Sequence, residues 1–188
     1  MTYQPLTGLF INNEFIQSST GKTVKVTNPA TAEIITFAYP GYKYDVEYAV
    51  QSNQNVSSNT NWATQDPKGR LRILLRPNGL IEENVELMNS IETIGNGKSD
   101  TLARGDTHLR IDCLRDAFSY ADKVNGRTID YGNGYMNFTL KQVIGICGQI
   151  IIWNFATMVL TMKVTATLTI GTIYILKLSS TTSLTALV

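Results

Sequence analysis

The sequence predicts an α/β fold in which an incomplete parallel sheet carries added β-hairpins, and three observations lead there. Val143-Ile-Gly-Ile-Cys-Gly-Gln-Ile-Ile-Ile-Trp-Asn-Phe-Ala156 opens as a β-branched apolar run the length of one buried strand, then breaks at polar Asn154 between two aromatics. Residues 157–168 can carry a helix, and Thr172-Ile-Tyr-Ile-Leu-Lys177 reads as a second buried strand. Strand, helix, strand is the repeating unit of a parallel sheet. Elsewhere, Asn and Gly pairs between short alternating runs mark antiparallel hairpins.

A chain of 188 residues, 43% apolar and 16% charged, is long enough for one domain core. Sixteen basic against fifteen acidic residues, with no basic run, leave no electrostatic footprint for nucleic acid. Cys113, Cys147 and His108 are too few for a zinc site or a disulfide framework, which favours a reducing interior. Met1-Thr-Tyr-Gln-Pro-Leu-Thr-Gly8 has neither a basic n-region nor a sustained apolar stretch, so a cytoplasmic protein is expected. Residues 143–162 lack charge and have about the length of a bilayer span, so a membrane-inserted protein stays open as an alternative. Gly145, Gly148, Gln149, Asn154 and the density of β-branched residues favour buried strands instead.

In chain order, Leu9-Phe-Ile11 and Glu14-Phe-Ile16 flank Asn12-Asn13, a pair tolerant of positive φ, and should pair as a hairpin. Thr23-Val-Lys-Val26, the turn Asn28-Pro-Ala-Thr31 and the run 33–39 predict another. Asp45 is placed to cap a helix through Gln51 that buries Val46, Ala49 and Val50, with residues 52–60 fraying. Asp66-Pro67 is an N-cap and N1 pair opening a helix that offers Leu71, Ile73, Leu74 and Leu75 for burial. Pro77-Asn78-Gly79 predicts a break, since an interior proline costs about 3 kcal/mol and glycine about 1. An amphipathic helix should resume over 80–91. Ser99 or Asp100 caps the next helix, with Leu102, Leu109, Cys113, Leu114, Ala117 and Ala121 as its expected core face. Thr128-Ile-Asp-Tyr131, Gly132-Asn-Gly134 and the run 135–141 form a third hairpin.

Gly145-Ile-Cys-Gly-Gln-Ile-Ile-Ile-Trp-Asn-Phe155, Lys163 and Tyr174-Ile-Leu-Lys-Leu-Ser179 together resemble the first half of the dinucleotide-binding domain of NAD(P)-dependent aldehyde dehydrogenases. Leu9-Phe-Ile-Asn-Asn-Glu-Phe15, Thr27-Asn-Pro-Ala-Thr31, Glu92-Thr93, Asn96-Gly-Lys98 and Ala103-Arg-Gly-Asp106 stand in that family's order and spacing. The resemblance implies that 1–127 is the N-terminal part of the NAD(P)-binding domain. It makes 128–142 an oligomerisation-type hairpin and 143–188 the first βαβ unit. The family's glycine-rich turn, general-base glutamate and nucleophilic cysteine lie in sequence that should follow Val188. A chain lacking them is expected to be inactive by itself, either as a truncated aldehyde dehydrogenase-like protein or as a noncatalytic partner of a full-length relative.

By the same resemblance Asn154 is an oxyanion donor, because its side-chain amide offers two hydrogens that can be aimed at an attacked carbonyl. Without the family, an asparagine before a helix reads as its cap. Ile151, Trp153, Lys177 and Ser180 match the cofactor-binding positions for NAD or NADP. Core packing is the plainer reading of Ile151. Lys177, at the carboxyl end of a strand, can donate to ribose hydroxyls, but the family's acceptor glutamate three positions later is Ser180 here, a weaker acceptor. Ile152 and Ala156 replace the prolines flanking the family's Trp-Asn-Phe triplet, and Leu178 replaces another, which should loosen the placement of Asn154. Cys113 and Cys147 lie in apolar settings that leave thiols inert, and His108 reads as a surface residue. The chain is expected to form a homo-oligomer or to join a full-length aldehyde dehydrogenase.

Overall fold

A computed structural model of the chain describes residues 6–59 and 61–187. The N-terminal reading of residues 1–5, Thr60 and Val188 lie outside the described residues. Two antiparallel ribbons come first, β1 (Leu9–Ile11) with β2 (Glu14–Ile16) and β3 (Val24–Thr27) with β4 (Ile34–Ala38). Six helices follow: α1 (Lys43–Asn59), α2 (Asn61–Thr64), α3 (Pro67–Leu74), α4 (Arg76–Glu83), α5 (Val85–Asn96) and α6 (Asp100–Ser119). A hairpin of β5 (Thr128–Gly132) and β6 (Tyr135–Phe138) leads to β7 (Ile146–Ile150), α7 (Ala156–Thr169), β8 (Ile173–Lys177) and a 3-10 turn, Leu184–Leu187. The fold is α/β as expected, with one parallel pair among the described residues: β7 and β8 run from Ile146 opposite Ile173 to Ile150 opposite Lys177.

The asparagine turns do what their chemistry allows. Asn12 and Asn13 take φ of 53° and 65° between β1 and β2, where Phe10 and Phe15 pair at 4.9 Å between ring centroids. Asn133, at φ 52°, plays the same part between β5 and β6. Two apolar clusters hold the body. Val26, Ala38, Ile91 and Leu184 join the second ribbon to α5 and the 3-10 turn. Leu74, Leu114 and Phe118, with Trp62 and Leu168 against them, join α3, α6 and α7.

Helix α7 buries a polar stripe. Thr157, Thr161, Thr165 and Thr169, spaced four apart, are all buried. Each later hydroxyl donates to the carbonyl four residues back, at 2.9, 2.8 and 2.6 Å, so the stripe needs no outside partner. The small side chains let α7 lie against α6, and Thr169 also reaches Ala117 O at 3.2 Å.

Several expectations are corrected. Helix α1 runs on to Asn59 rather than fraying after Gln51, because Asn53 Nδ2 donates to Tyr174 O at 3.0 Å and ties its second half to β8. Asp45 sits inside the first turn, accepting from Tyr42 N and Ser19 N at 2.8 Å each, and Val46 is exposed. The break near Pro77 occurs at Leu75, which leaves the proline in the first turn of α4, where its missing N–H costs nothing. The helix expected over 80–91 is itself divided at Asn84, whose Nδ2 takes the Leu80 carbonyl at 2.8 Å in competition with the backbone. Ile73 and Leu75 are exposed, and only Leu74 of the α3 set is fully buried.

Helix α6 is capped by Ser99, whose Oγ accepts from Leu102 N; of its expected face Leu114 and Ala121 are buried and Cys113 and Ala117 half-buried, whereas the N-terminal members Leu102 and Leu109 face out. Ala103, Thr107, Arg110, Ile111, Leu114 and Phe118 are buried, whereas Leu102 is 63% exposed and Leu109 also faces out. Partnered polar residues occupy the stripe that hydrophobicity alone would have filled differently.

Asp66 caps α3 as the sequence predicts: its Oδ1 accepts from Gly69 N at 2.8 Å, and this hydrogen bond holds its carboxyl below the usual range. A depressed folded pKa stabilises above the unfolded value and is lost as pH falls through the folded one. Asp66→Ala should therefore lower the urea midpoint at neutral pH, and the gap from wild type should begin to narrow below about pH 3.9, the unperturbed value, and close once pH falls below the lowered folded one. A gap that persisted in acid would assign the loss to something other than the carboxylate cap.

Candidate functional site

Because Ile150 stands opposite Lys177, both parallel strands end at the same edge. Ile151 N donates to Lys177 O at 2.9 Å, carrying the pairing one residue further before the chain turns into loop 151–155. Lys163 on α7 reaches back to donate Nζ to Ile150 O at 2.5 Å, so this lysine fastens the helix to the strand end. Gln149, buried one position earlier, donates to Lys163 O at 3.0 Å and Thr167 Oγ1 at 3.2 Å.

Asn154 is half-buried in that loop, and among the described residues its side-chain amide has no hydrogen-bond partner. The capping reading fails: α7 begins at Ala156, its N-cap is Phe155, and no side chain caps it. Trp153 is 62% exposed, whereas Ile151 is 2% exposed and belongs to the core. Lys177 and Ser180 are both exposed, in β8 and the loop after it. That loop is ordered by its own hydroxyls, Ser179 Oγ lying 2.9 Å from Thr181 Oγ1. Trp153 lines a surface hollow of about 380 Å³ with Asn96, Thr181, Thr182 and Lys25. Lys177, Ser180, Ile151 and Asn154 do not line it, so the named positions share an edge without closing one cavity.

Behind the loop lies a group of buried charges whose sequence segments were visible but whose grouping was not. Lys98, its side chain 11% exposed, pairs with Asp106 and lies 3.6 Å from Glu92. Arg110, 3% exposed, donates to Met88 Sδ at 3.4 Å and Thr107 Oγ1 at 3.5 Å. Burial lowers the Arg110 pKa, opposed by the charges of Glu92 and Asp106. Asn89 Oδ1 accepts from Thr107 Oγ1 at 2.5 Å. The spacing of Asp106 and Arg110, four apart on one helix, was the available signal.

Cys113 and Cys147 are half-buried free thiols and His108 is exposed. Among the described residues no group of three or more His, Cys, Asp or Glu is arranged to hold a metal ion. No helix among them is long and apolar enough to cross a membrane.

A βαβ unit whose two strands end at one carboxyl edge is the building unit of the doubly wound α/β class. The chain belongs to the aldehyde dehydrogenase family, whose family model matches residues 15–188. It is 36% identical over 186 residues to an aldehyde dehydrogenase of Davidiella tassiana, covering 99% of this chain and 37% of that protein. The mitochondrial aldehyde dehydrogenase of Rattus norvegicus is 34% identical over 181 residues, 95% of this chain and 35% of its own length. Among solved structures, the NAD+ complex of aldehyde dehydrogenase from Bacillus cereus superposes with a TM-score of 0.93 at 30% identity, covering 96% of this chain and 37% of that one. The chain thus spans a little over a third of the length of the curated relatives it matches.

Proposed function

We propose that these 188 residues are the cofactor-side portion of an aldehyde dehydrogenase, a family whose reaction is NAD(P)-dependent oxidation of an aldehyde to a carboxylic acid, and that by themselves they do not turn over. The observation that carries this reading is the unpartnered Asn154 amide at the strand edge that also presents Lys177. Lys177 suits a donor to ribose hydroxyls, and Trp153 offers an exposed ring in the loop that leaves the same strand edge. The fit to NAD or NADP is partial, because Ser180 supplies a hydroxyl where a carboxylate would accept from the ribose. When bound, the nicotinamide supplies a hydride acceptor. Asn154 contributes two N–H donors for an oxygen that gains charge during attack on a carbonyl.

Neither resident thiol suits the attacking role, since Cys113 is half-buried on α6 and Cys147 half-buried within β7, and among the described residues neither has a cationic or basic partner that would activate it. The purified 188-residue chain, given NAD and a simple aldehyde, should therefore produce no NADH above a heat-killed control. Turnover that survives Cys113→Ala with Cys147→Ala, or that depends on either thiol, would overturn this reading.

A second reading is favoured by the β5–β6 hairpin, whose residues are exposed on both faces, Tyr131, Tyr135, Met136 and Phe138 among them. Such a ribbon suits assembly with another copy or with a full-length relative. The two readings are compatible, because they draw on different residues of the chain.

A further inference from the structure

We propose that the turn between α5 and α6, acting through Asn96 and Lys98, is the positioning element for the Asn154 amide. This inference rests on the reading of loop 151–155 as the amide-bearing loop of the cofactor-side site. Asn96 Nδ2 donates to Trp153 O at 2.6 Å and stands 3.5 Å from Asn154 O. Lys98 Nζ lies 4.3 Å from the centroid of the Phe155 ring, a cation over an aromatic face. Three successive loop residues are thus touched by one turn, through two backbone carbonyls and one ring. The Asn154 side-chain amide is the part left free.

The turn is itself fixed. Lys98 is held by Asp106 and Glu92 in a nearly closed setting, so its ammonium cannot swing away from Phe155 without leaving two carboxylates unpaired. Gly97 adopts φ +80°, its N–H returning to Thr93 O, and a Cβ there would stand 2.7 Å from Pro29 Cγ. The loop, by contrast, has little restraint of its own. Ile152 and Ala156 stand where the resembling family has prolines, and α7 begins without a side-chain cap. Holding the loop falls to its neighbours, and Asn96 and Lys98 both touch residues 153–155.

The chain contains two tryptophans, so incorporation of fluorotryptophan gives two fluorine NMR lines. Trp62, whose Nε1 donates to Gly171 O at 3.1 Å beside the second apolar cluster, reports the fold, and Trp153 reports the loop. In Asn96→Ala and Lys98→Met the Trp153 line should shift and narrow while the Trp62 line stays in place. Hydrogen exchange of the amides at 153–156 should quicken about two- to tenfold, the scale of one hydrogen bond. Lys98→Arg, which keeps the cation, should return the Trp153 line toward wild type. An unchanged Trp153 line and unchanged exchange in Asn96→Ala would overturn the proposal. If Lys98→Met unfolds the chain, sending both lines to their denatured positions, the half-exposed Asn96→Ala decides alone.

Adding NAD to the same samples separates this inference from the reading beneath it. A wild type that ignores NAD, with a selective Trp153 response in Asn96→Ala, defeats the nucleotide site and supports the turn as the holder of the loop. An NAD-induced shift of equal size and affinity in wild type and Asn96→Ala overturns the positioning role and supports the site.

Discussion

Arg110→Ala should lower the unfolding free energy by about 2–5 kcal/mol, the cost of emptying the place of a long buried side chain, with the loss of a positive charge near Glu92 and Asp106 added to it. Arg110 is almost wholly enclosed, and with it gone Glu92 and Asp106 share the single positive charge of Lys98. Glu92 Oε1 already lacks a hydrogen bond, so there is no slack to absorb the change. At an m-value of about 2 kcal/mol/M the urea midpoint, followed through Trp62 fluorescence at fixed chain concentration, should fall by more than about 1 M. Removing opposite charges together should cost less. Arg110→Met with Glu92→Leu leaves the Lys98–Asp106 pair balanced and fills the space with apolar atoms, so the double variant should be more stable than Arg110→Ala. Equal or greater loss in the double variant would show that hydrogen bonding, rather than charge balance, governs this group.

The purified chain should bind ANS strongly and elute as an oligomer. Its accessible surface is 12099 Å² for 20.8 kDa, against about 8,900 Å² expected for a compact monomer of that mass. The excess is apolar in part: Tyr131, Tyr135, Met136, Phe138, Leu140 and Ile144 are each at least 70% exposed in one continuous stretch. Among the described residues β7 and β8 pair only with each other, so two strand edges are also open. Replacing Tyr135 and Phe138 by Lys should reduce ANS fluorescence and shift elution toward the monomer if the hairpin is the main contact. A monodisperse, ANS-silent wild-type monomer would contradict the expectation outright.

The parallel unit was legible because period and composition agreed there. The strand 146–150, the helix after it and the strand 173–177 came from β-branched runs bounded by glycine and asparagine, and the parallel register followed. Turns were legible where one residue type carries the conformation, as at Asn12-Asn13 and Asp66-Pro67. Faces of helices were not. On α6 the apolar count places Leu114 and Ala121 correctly, but in the first half of the helix it picks Leu102 and Leu109, where the buried side is set by Thr107 and Arg110 meeting Asn89 and Met88 on α5. The long reach of α1 was hidden for a similar reason, since the Asn53 contact to Tyr174 spans most of the chain.

At the strand edge, residue identities came from the sequence and their availability from the structure. Asn154 could be read as a helix cap or as a free donor, and only the position of Phe155 at the cap and the missing side-chain bond separate these. The part played by Asn96 could not be read at all. Its contact to Trp153 joins segments 57 positions apart, with no local pattern to announce it.

The most direct measurement is a titration of NAD and NADP into the wild-type chain and Ser180→Glu, followed by quenching of Trp153 fluorescence, with Trp153→Phe correcting for Trp62. Wild type should bind both nucleotides weakly, because losing a charge-assisted hydrogen bond costs about 1.5–3 kcal/mol, or roughly ten- to a hundredfold in affinity. Ser180→Glu should tighten NAD by about that factor and disfavour NADP, since a carboxylate accepts from a ribose hydroxyl but repels a 2′-phosphate. Neither nucleotide binding to either protein would contradict the cofactor-side reading of this chain.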